Sequence, residues 1–290
     1  MMCIVILWKW GRNMQEQDVA EQVEKARKSL DKQDAWAHKK MKKQSMENVI
    51  IEEHAYGKSV WEKLDFIYTK EIGNAKKPVL IYIHGGGWIA GSKNKRRVYL
   101  GAFAKAGFFV VNIDYTLAPE AVFPTAIGEC VSATDYFMDH AKDYPVDLQR
   151  IALGGESAGV YYAAFLACIA KHKDLTEQLG IPRMRHLEFD VKANFFNCGA
   201  VDFALLEEGG FPQAKLMVDA YVGSREPETL KKISPMTYVE GNFPPTYLMY
   251  GQLDSLRNNT FYMQKIFEEK KIPYVLKKNT GIFYGQHTSS

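Results

Sequence analysis

Cysteine is scarce in this sequence. Four occur in 290 residues, at Cys3, Cys130, Cys168 and Cys198, and none stands in a CxxC or metal-ligand spacing. That excludes a disulfide framework or a zinc ribbon, and the thiols are expected to be reduced in a cytoplasmic protein. A bias toward one sign of charge is also lacking. Lys and Arg number 37 against 34 Asp and Glu, for a net charge of +3. Nucleic acid is therefore not an expected partner. Two basic runs, KKMKK (39–43) and KNKRR (93–97), read as solvated helix faces. No apolar run reaches the roughly 20 residues that a membrane span needs. The opening MMCIVILW breaks off at Lys9, with no basic segment before it and no obvious cleavage site, so neither a span nor a secretion signal is expected. Met14 and Met46 offer later starts, and the first 13 residues read as an extension. Internal repeats and low-complexity tracts are absent as well.

What remains is an ordinary globular composition, 47% hydrophobic and 24% charged, in a chain long enough to bury a large core without covalent staples. Residues 15 to about 43 lack glycine and proline and repeat Val19, Val23, Ala26 and Leu30 at spacings of four and three. This predicts an amphipathic helix, either covering a site or packed on the surface. ENVIIEEHAY (47–56) and KLDFIYTK (63–70) predict two antiparallel strands. PVLIYIHG (78–85), GFFVVNIDY (107–115), RIALGG (150–155), ANFFNCGAVDF (193–203), PPTYLMYG (244–251) and PYVLKK (273–278) follow as buried strands. Helical patterns over 93–106, 123–141, 157–172 and 258–270 separate them. Such alternation predicts an α/β fold, a mostly parallel sheet with helices on both faces. Residues 204–240 interrupt it and read as an insertion over the carboxyl edge of the sheet.

GGESAGV (154–160) raises the first chemical question. GxSxG alone is a weak signal, but here it falls between an apolar strand and a helix that begins at once. A serine on that turn sits on a strained elbow, with glycines at 155 and 159 because the backbone crowds both positions. The turn lifts the hydroxyl clear of the sheet. It also aims the first helical amide, that of Ala158, at whatever the hydroxyl attacks.

Serine is a poor nucleophile until a base takes its proton and an acid orients the base. Of seven histidines, only His287 follows the last predicted strand. The alternative reading is a solvated tail residue. Asp254 lies just beyond the strand ending at Gly251, and its alternative role is to cap helix 258–270. The order Ser157, Asp254, His287 is the order expected of an α/β-hydrolase triad.

HGGGW (84–88) is the most specific element. Acyl transfer builds negative charge on a carbonyl oxygen. Glycines let the backbone come close and present the N–H groups of Gly86 and Gly87 beside that of Ala158 as an oxyanion hole. Each such donor is worth about 100- to 1,000-fold in rate. His84 reads as a support for this loop rather than as the base.

With HGGGW, DYTLAPEAVFP (114–124), GESAG (155–159) and LDSLRN (253–258), the chain resembles the hormone-sensitive-lipase-like group of α/β-hydrolase carboxylesterases over about residues 50–288. The resemblance implies ester hydrolysis by Ser157, His287 and Asp254, with a cap built partly from the N-terminal helix. It divides the chain into an extension with a cap helix (1–45) and a catalytic domain (46–290). DYTLAPE is part of the signature, but its chemistry does not follow from the sequence. Glu156 stands where the family usually has aspartate, Val160 where it has glycine, and HTSS where it has HGF. The family's closing helix has no counterpart in the three residues after His287, which would expose apolar surface and invite association into an oligomer. The expected activity is hydrolysis of small to medium acyl esters through a covalent acyl-enzyme, with no metal or organic cofactor. The competing readings are an amidase or deacetylase with the same triad, and a non-catalytic binding protein of the same fold.

Overall fold

PVLIYI and FVVNI are apolar at nearly every position, and both become central strands, buried on two faces. The computed structural model describes residues 17–32, 45–70 and 75–280. In chain order the elements are helix α1 (17–32), β1 (Val49–Ala55), β2 (Lys63–Thr69), β3 (Lys77–Ile83), α2 (Arg97–Lys105), β4 (Phe109–Ile113), α3 (Thr125–His140), β5 (Val146–Glu156), α4 (Ala158–Lys171) and α5 (Leu175–Gln178). Then come β6 (Ala193–Asn197), α6 (Phe203–Glu208), α7 (Ala214–Tyr221), α8 (Pro227–Lys232), β7 (Thr246–Gly251), α9 (Arg257–Glu269) and β8 (Tyr274–Asn279). The strands form one eight-stranded sheet in the order β1-β2-β4-β3-β5-β6-β7-β8. The β1–β2 and β2–β4 pairs are antiparallel and all others parallel.

The period of two decides which side chains meet which helix. Val79, Ile81 and Ile83 of β3 and Phe109, Val111 and Ile113 of β4 point into the larger core with α3 and α4. Leu80, Tyr82 and Val110 point the other way, onto Leu100 and Ala104 of α2. Each such side chain contributes about 1.5–3 kcal/mol on leaving water. Helix α4 is buried from Ala158 to Ala170, because it packs on the sheet with α3 beside it. On α1, Val23 and Ala26 are buried, while Val19 and Leu30 pack at the margin, as the stripe predicts. Residues 33–43 of the predicted helix lie outside the described residues, as does KKMKK.

Several boundaries differ from expectation. Strand β5 starts at Val146, because Val146 and Asp147 pair with Lys77 and Pro78 at the start of β3 before a register shift at Pro78/Val79. Strand β6 ends at Asn197, because Cys198 takes a left-handed φ of 48° that turns the chain out of the sheet. Helix α5 carries no periodic signal in the sequence. KNKRR is not a solvated face. Lys93 and Arg96 are buried, and Lys93 Nζ sits 2.7 Å from Asp65 and 2.6 Å from Glu53. A short run of cations cannot reveal that carboxylates on distant strands fold against it. Cys130 and Cys168 are buried free thiols, and Cys198 is buried as well. Among the described residues no helix is long and apolar enough to cross a membrane.

Candidate functional site

Ser157 joins β5 to α4 at φ 52°, ψ −122°. A non-glycine residue there costs about 1–3 kcal/mol and persists only where its surroundings hold it. They do. The Ser157 N–H donates to Asn197 O at 3.1 Å, and its carbonyl accepts from Val160 and Ala200 N–H groups, each at 3.1 Å. The flanking glycines are obligatory for the reason the sequence indicates. A Cβ on Gly155 would lie 2.7 Å from the Gly159 backbone, and one on Gly159 would lie 2.0 Å from Ile83 O.

That second contact brings the elbow against the end of β3, where HGGGW begins. A Cβ on Gly85 would lie 3.0 Å from Ser157 Cβ, so the loop touches the serine directly. Gly86, Gly87 and Trp88 then take positive φ of 132°, 60° and 63°. The turn closes with Ile89 and Ala90 N–H groups on Gly86 O, at 3.3 and 3.0 Å. Among the described residues no acceptor takes the N–H of Gly86, Gly87 or Ala158. His84 is a support: its ring stacks on Tyr115 at 4.4 Å, and its Nε2 stands 3.1 Å from Asp114 Oδ1. Tyr115 O–H donates to His84 O at 2.9 Å, and Ala118 N–H to Trp88 O at 2.9 Å. The 114–124 segment, chemically mute in the sequence, is thus the buttress of the glycine loop.

Glu156 was legible only as a neighbour of the serine. Its carboxylate holds the Gly85 N–H at 2.7 Å and the Arg96 guanidinium Nε at 2.6 Å, and it accepts the Tyr82 hydroxyl. Burial first, and then this carboxylate, push the Tyr82 phenol well above its usual range, so it stays a donor. One buried carboxylate therefore ties the elbow to the glycine loop. We expect Glu156→Gln to destabilise the fold by about 3 kcal/mol, because it removes the buried negative charge that the Arg96 guanidinium, the Gly85 N–H and the Tyr82 hydroxyl all bond. Urea unfolding followed by fluorescence measures this. A loss under 1 kcal/mol would mean that a neutral amide at 156 serves the same donors nearly as well.

Asp254 follows β7 and is fully buried. Glu156 lies opposite Asn197 and Asn197 opposite Met249, so β5 and β6 end at one level and β7 runs on to Gly251, with Ser157 and Asp254 past the carboxyl ends of β5 and β7. Asp254 is not the cap of α9, whose N-cap is Leu256 with no side-chain cap bond; its Oδ1 instead accepts the Leu256 N–H at 2.8 Å. His287 lies outside the described residues. Among the described residues, no group of three or more His, Cys, Asp or Glu is placed to hold a metal ion.

The 204–240 segment forms α6, α7, α8 and a 3₁₀ turn, and it packs on the glycine loop. Phe203 and Tyr221 flank Trp88 with ring centroids at 4.6 and 5.8 Å. A Cβ on Gly87 would fall 2.3 Å from the methyl of Met217 on α7. Met217 carries no signal in the sequence, because only the fold puts it over the loop. A groove of about 610 Å³ separates α7 from α1, and a cavity of about 440 Å³ lies between Phe203, Val218 and Tyr262.

The comparisons with known proteins agree with this geometry. The BD-FAE family profile matches residues 64–260, more than half of the chain. An α/β hydrolase of Acanthamoeba polyphaga mimivirus is 29% identical over 73% of this chain and 60% of its own length. An esterase of Gibberella moniliformis is 26% identical over 65% of this chain and 60% of its own. The chain thus spans 60% of the length of each of these two relatives. In three dimensions, esterase B of Lactobacillus rhamnosus superposes with a TM-score of 0.83 at 24% identity, over 95% of this chain and 89% of that one. That likeness establishes the α/β-hydrolase fold. Glycine loop, elbow, sheet order and profile match coincide, and the chain belongs to the BD-FAE family, within the hormone-sensitive-lipase-like α/β-hydrolases.

Proposed function

We propose that this protein is a serine carboxylesterase acting on small to medium acyl esters. The observation that carries the reading is Ser157, held at φ 52° against a loop of glycines with positive φ, at the carboxyl end of a parallel sheet. Ser157 Oγ attacks the ester carbonyl carbon while His287 takes its proton. Charge gathers on the carbonyl oxygen, which the N–H groups of Gly86, Gly87 and Ala158 receive. The tetrahedral intermediate collapses, the C–O bond to the alcohol breaks, and His287 returns the proton to the leaving oxygen. Water then repeats the sequence on the acyl-enzyme and releases the acid. Asp254 orients His287 and offsets its charge. His287 enters this scheme by chain order, as the histidine that follows β8. Residues 1–45 and the 204–240 insertion act as the cap in this reading. Supporting that role, Met217 and Tyr221 of the insertion, with Phe203 just before it, pack on the glycine loop.

The test is hydrolysis of p-nitrophenyl esters from acetate to decanoate, with p-nitroanilides in parallel and mass spectrometry after a fluorophosphonate. We expect a nitrophenol burst, best turnover at short to medium chains, ester preferred over anilide, and one adduct on Ser157. A folded protein with neither turnover nor adduct would sink the reading in favour of a binding protein. Anilides preferred over esters would move it to the amidase alternative.

A further inference from the structure

Helix α1 reaches the glycine loop through one side chain. Arg27 lies on the flank of the buried Val23 and Ala26 stripe, and its guanidinium is spread over three acceptors. Its Nε donates to Ile89 O at 2.6 Å and its Nη2 to Ala118 O at 2.9 Å. The two Nη atoms clasp the Glu120 carboxylate at 2.8 and 2.5 Å. Ile89 is in the turn that closes on Gly86 O, and Ala118 is the residue whose N–H holds Trp88 O. Arg27 therefore completes a brace of three segments, namely α1, the glycine loop and the 114–124 buttress.

That brace has work to do. Gly87 and Trp88 are consecutive residues with left-handed φ, and Trp88 is bulky. Such a backbone relaxes unless its carbonyls and amides are fixed from outside. Trp88 O is fixed by Ala118, and the next carbonyl, Ile89 O, by Arg27. A planar guanidinium suits this task, since it donates to a carboxylate bidentately while its remaining N–H groups meet two carbonyls in the same plane. A lysine would supply one point charge and no such geometry.

We propose that Arg27 is a positioning residue for the oxyanion hole, acting through the Ile89 and Ala118 carbonyls, so that the N-terminal helix is part of the catalytic apparatus. The proposal rests on the carboxylesterase reading. Glu120, the final residue of DYTLAPE, holds the guanidinium in register, which gives that carboxylate a purpose. Arg27 meets the loop and its buttress through the Ile89 and Ala118 carbonyls, so its loss is felt in the transition state, where the glycine N–H groups matter, more than in substrate binding.

The experiment uses the full chain and p-nitrophenyl butyrate. Arg27→Ala and Arg27→Lys are expected to lower kcat about 10- to 100-fold, a fraction of the effect of losing one oxyanion donor outright. KM should stay within about twofold. Free guanidinium at low millimolar concentration should restore part of the Arg27→Ala rate and none of the wild-type rate. Glu120→Gln should fall between. Lys28→Ala cuts an exposed pair with Glu24 on the same helix and should leave kcat unchanged. Tributyrin phosphonate should inactivate Arg27→Ala more slowly, in proportion to kcat. An unchanged kcat in Arg27→Ala, or a change confined to KM, overturns the proposal. So does a kcat loss that tracks thermal unfolding without guanidinium rescue. An active wild-type enzyme with those results leaves the esterase reading standing, whereas an inactive wild type removes both.

Discussion

Ser157→Ala should abolish turnover of p-nitrophenyl butyrate, with a fall in kcat on the order of a millionfold, the scale found when a triad serine is removed. Stability should change little. The substitution keeps a Cβ, and the elbow is held by backbone bonds to Asn197, Val160 and Ala200 that do not involve the hydroxyl. Single-turnover kinetics beside a thermal melt separate the two effects. A melt within about 3 °C of wild type, with no acyl-enzyme trapped by acid quench, is the expected pair, where each 1 kcal/mol of destabilisation would move the midpoint roughly 2–4 °C. Residual activity above 1% of wild type would place the nucleophile elsewhere and would overturn the mechanism. The result is informative because Ser157 is nearly closed off, at 2% exposure. No other described serine has a positive φ.

The second large effect falls on stability. Gly159→Ala places a methyl 2.0 Å from Ile83 O and 2.8 Å from His84 O, both backbone atoms that cannot swing aside. Either α4 withdraws from β3 or the elbow opens. Overpacking of this sort costs about 3 kcal/mol or more. We expect a fall in midpoint of roughly 10 °C for a chain of this size, with activity lost in parallel because the same atoms support HGGGW. Gly180→Ala is the matched control. Its φ is +66° but nothing lies within 4 Å of the added methyl, so only the backbone term applies, about 1 kcal/mol. If the two variants melt alike, the contact between elbow and glycine loop is looser than described and the account of the motif fails with it.

The linear pattern carried the frame and the chemistry-bearing glycines. Hydrophobic alternation and helical spacing are local properties, so each strand of the sheet was readable, with errors at ends such as Asn197 where a single backbone torsion decides. GxSxG and HGGGW were readable because steric crowding permits almost nothing but glycine there. Asp254 and His287 are proposed from order along the chain, and His287 lies outside the described residues. The polar partners were not readable. Glu156 with Arg96, Asp65 with Lys93 and Arg27 with Glu120 are separated by 60, 28 and 93 positions. A charge in a sequence reads as solvated until something removes its water. Only the packed structure shows which carboxylate replaces that water, and hence that KNKRR is interior and that DYTLAPE is a brace. The sequence by itself determined the sheet, the elbow and the glycine loop, because backbone sterics and hydrophobic periodicity are written residue by residue. Tertiary structure alone decided which charges are buried together and what holds the loop to the N-terminal helix, because ion pairing depends on distance in space and not along the chain.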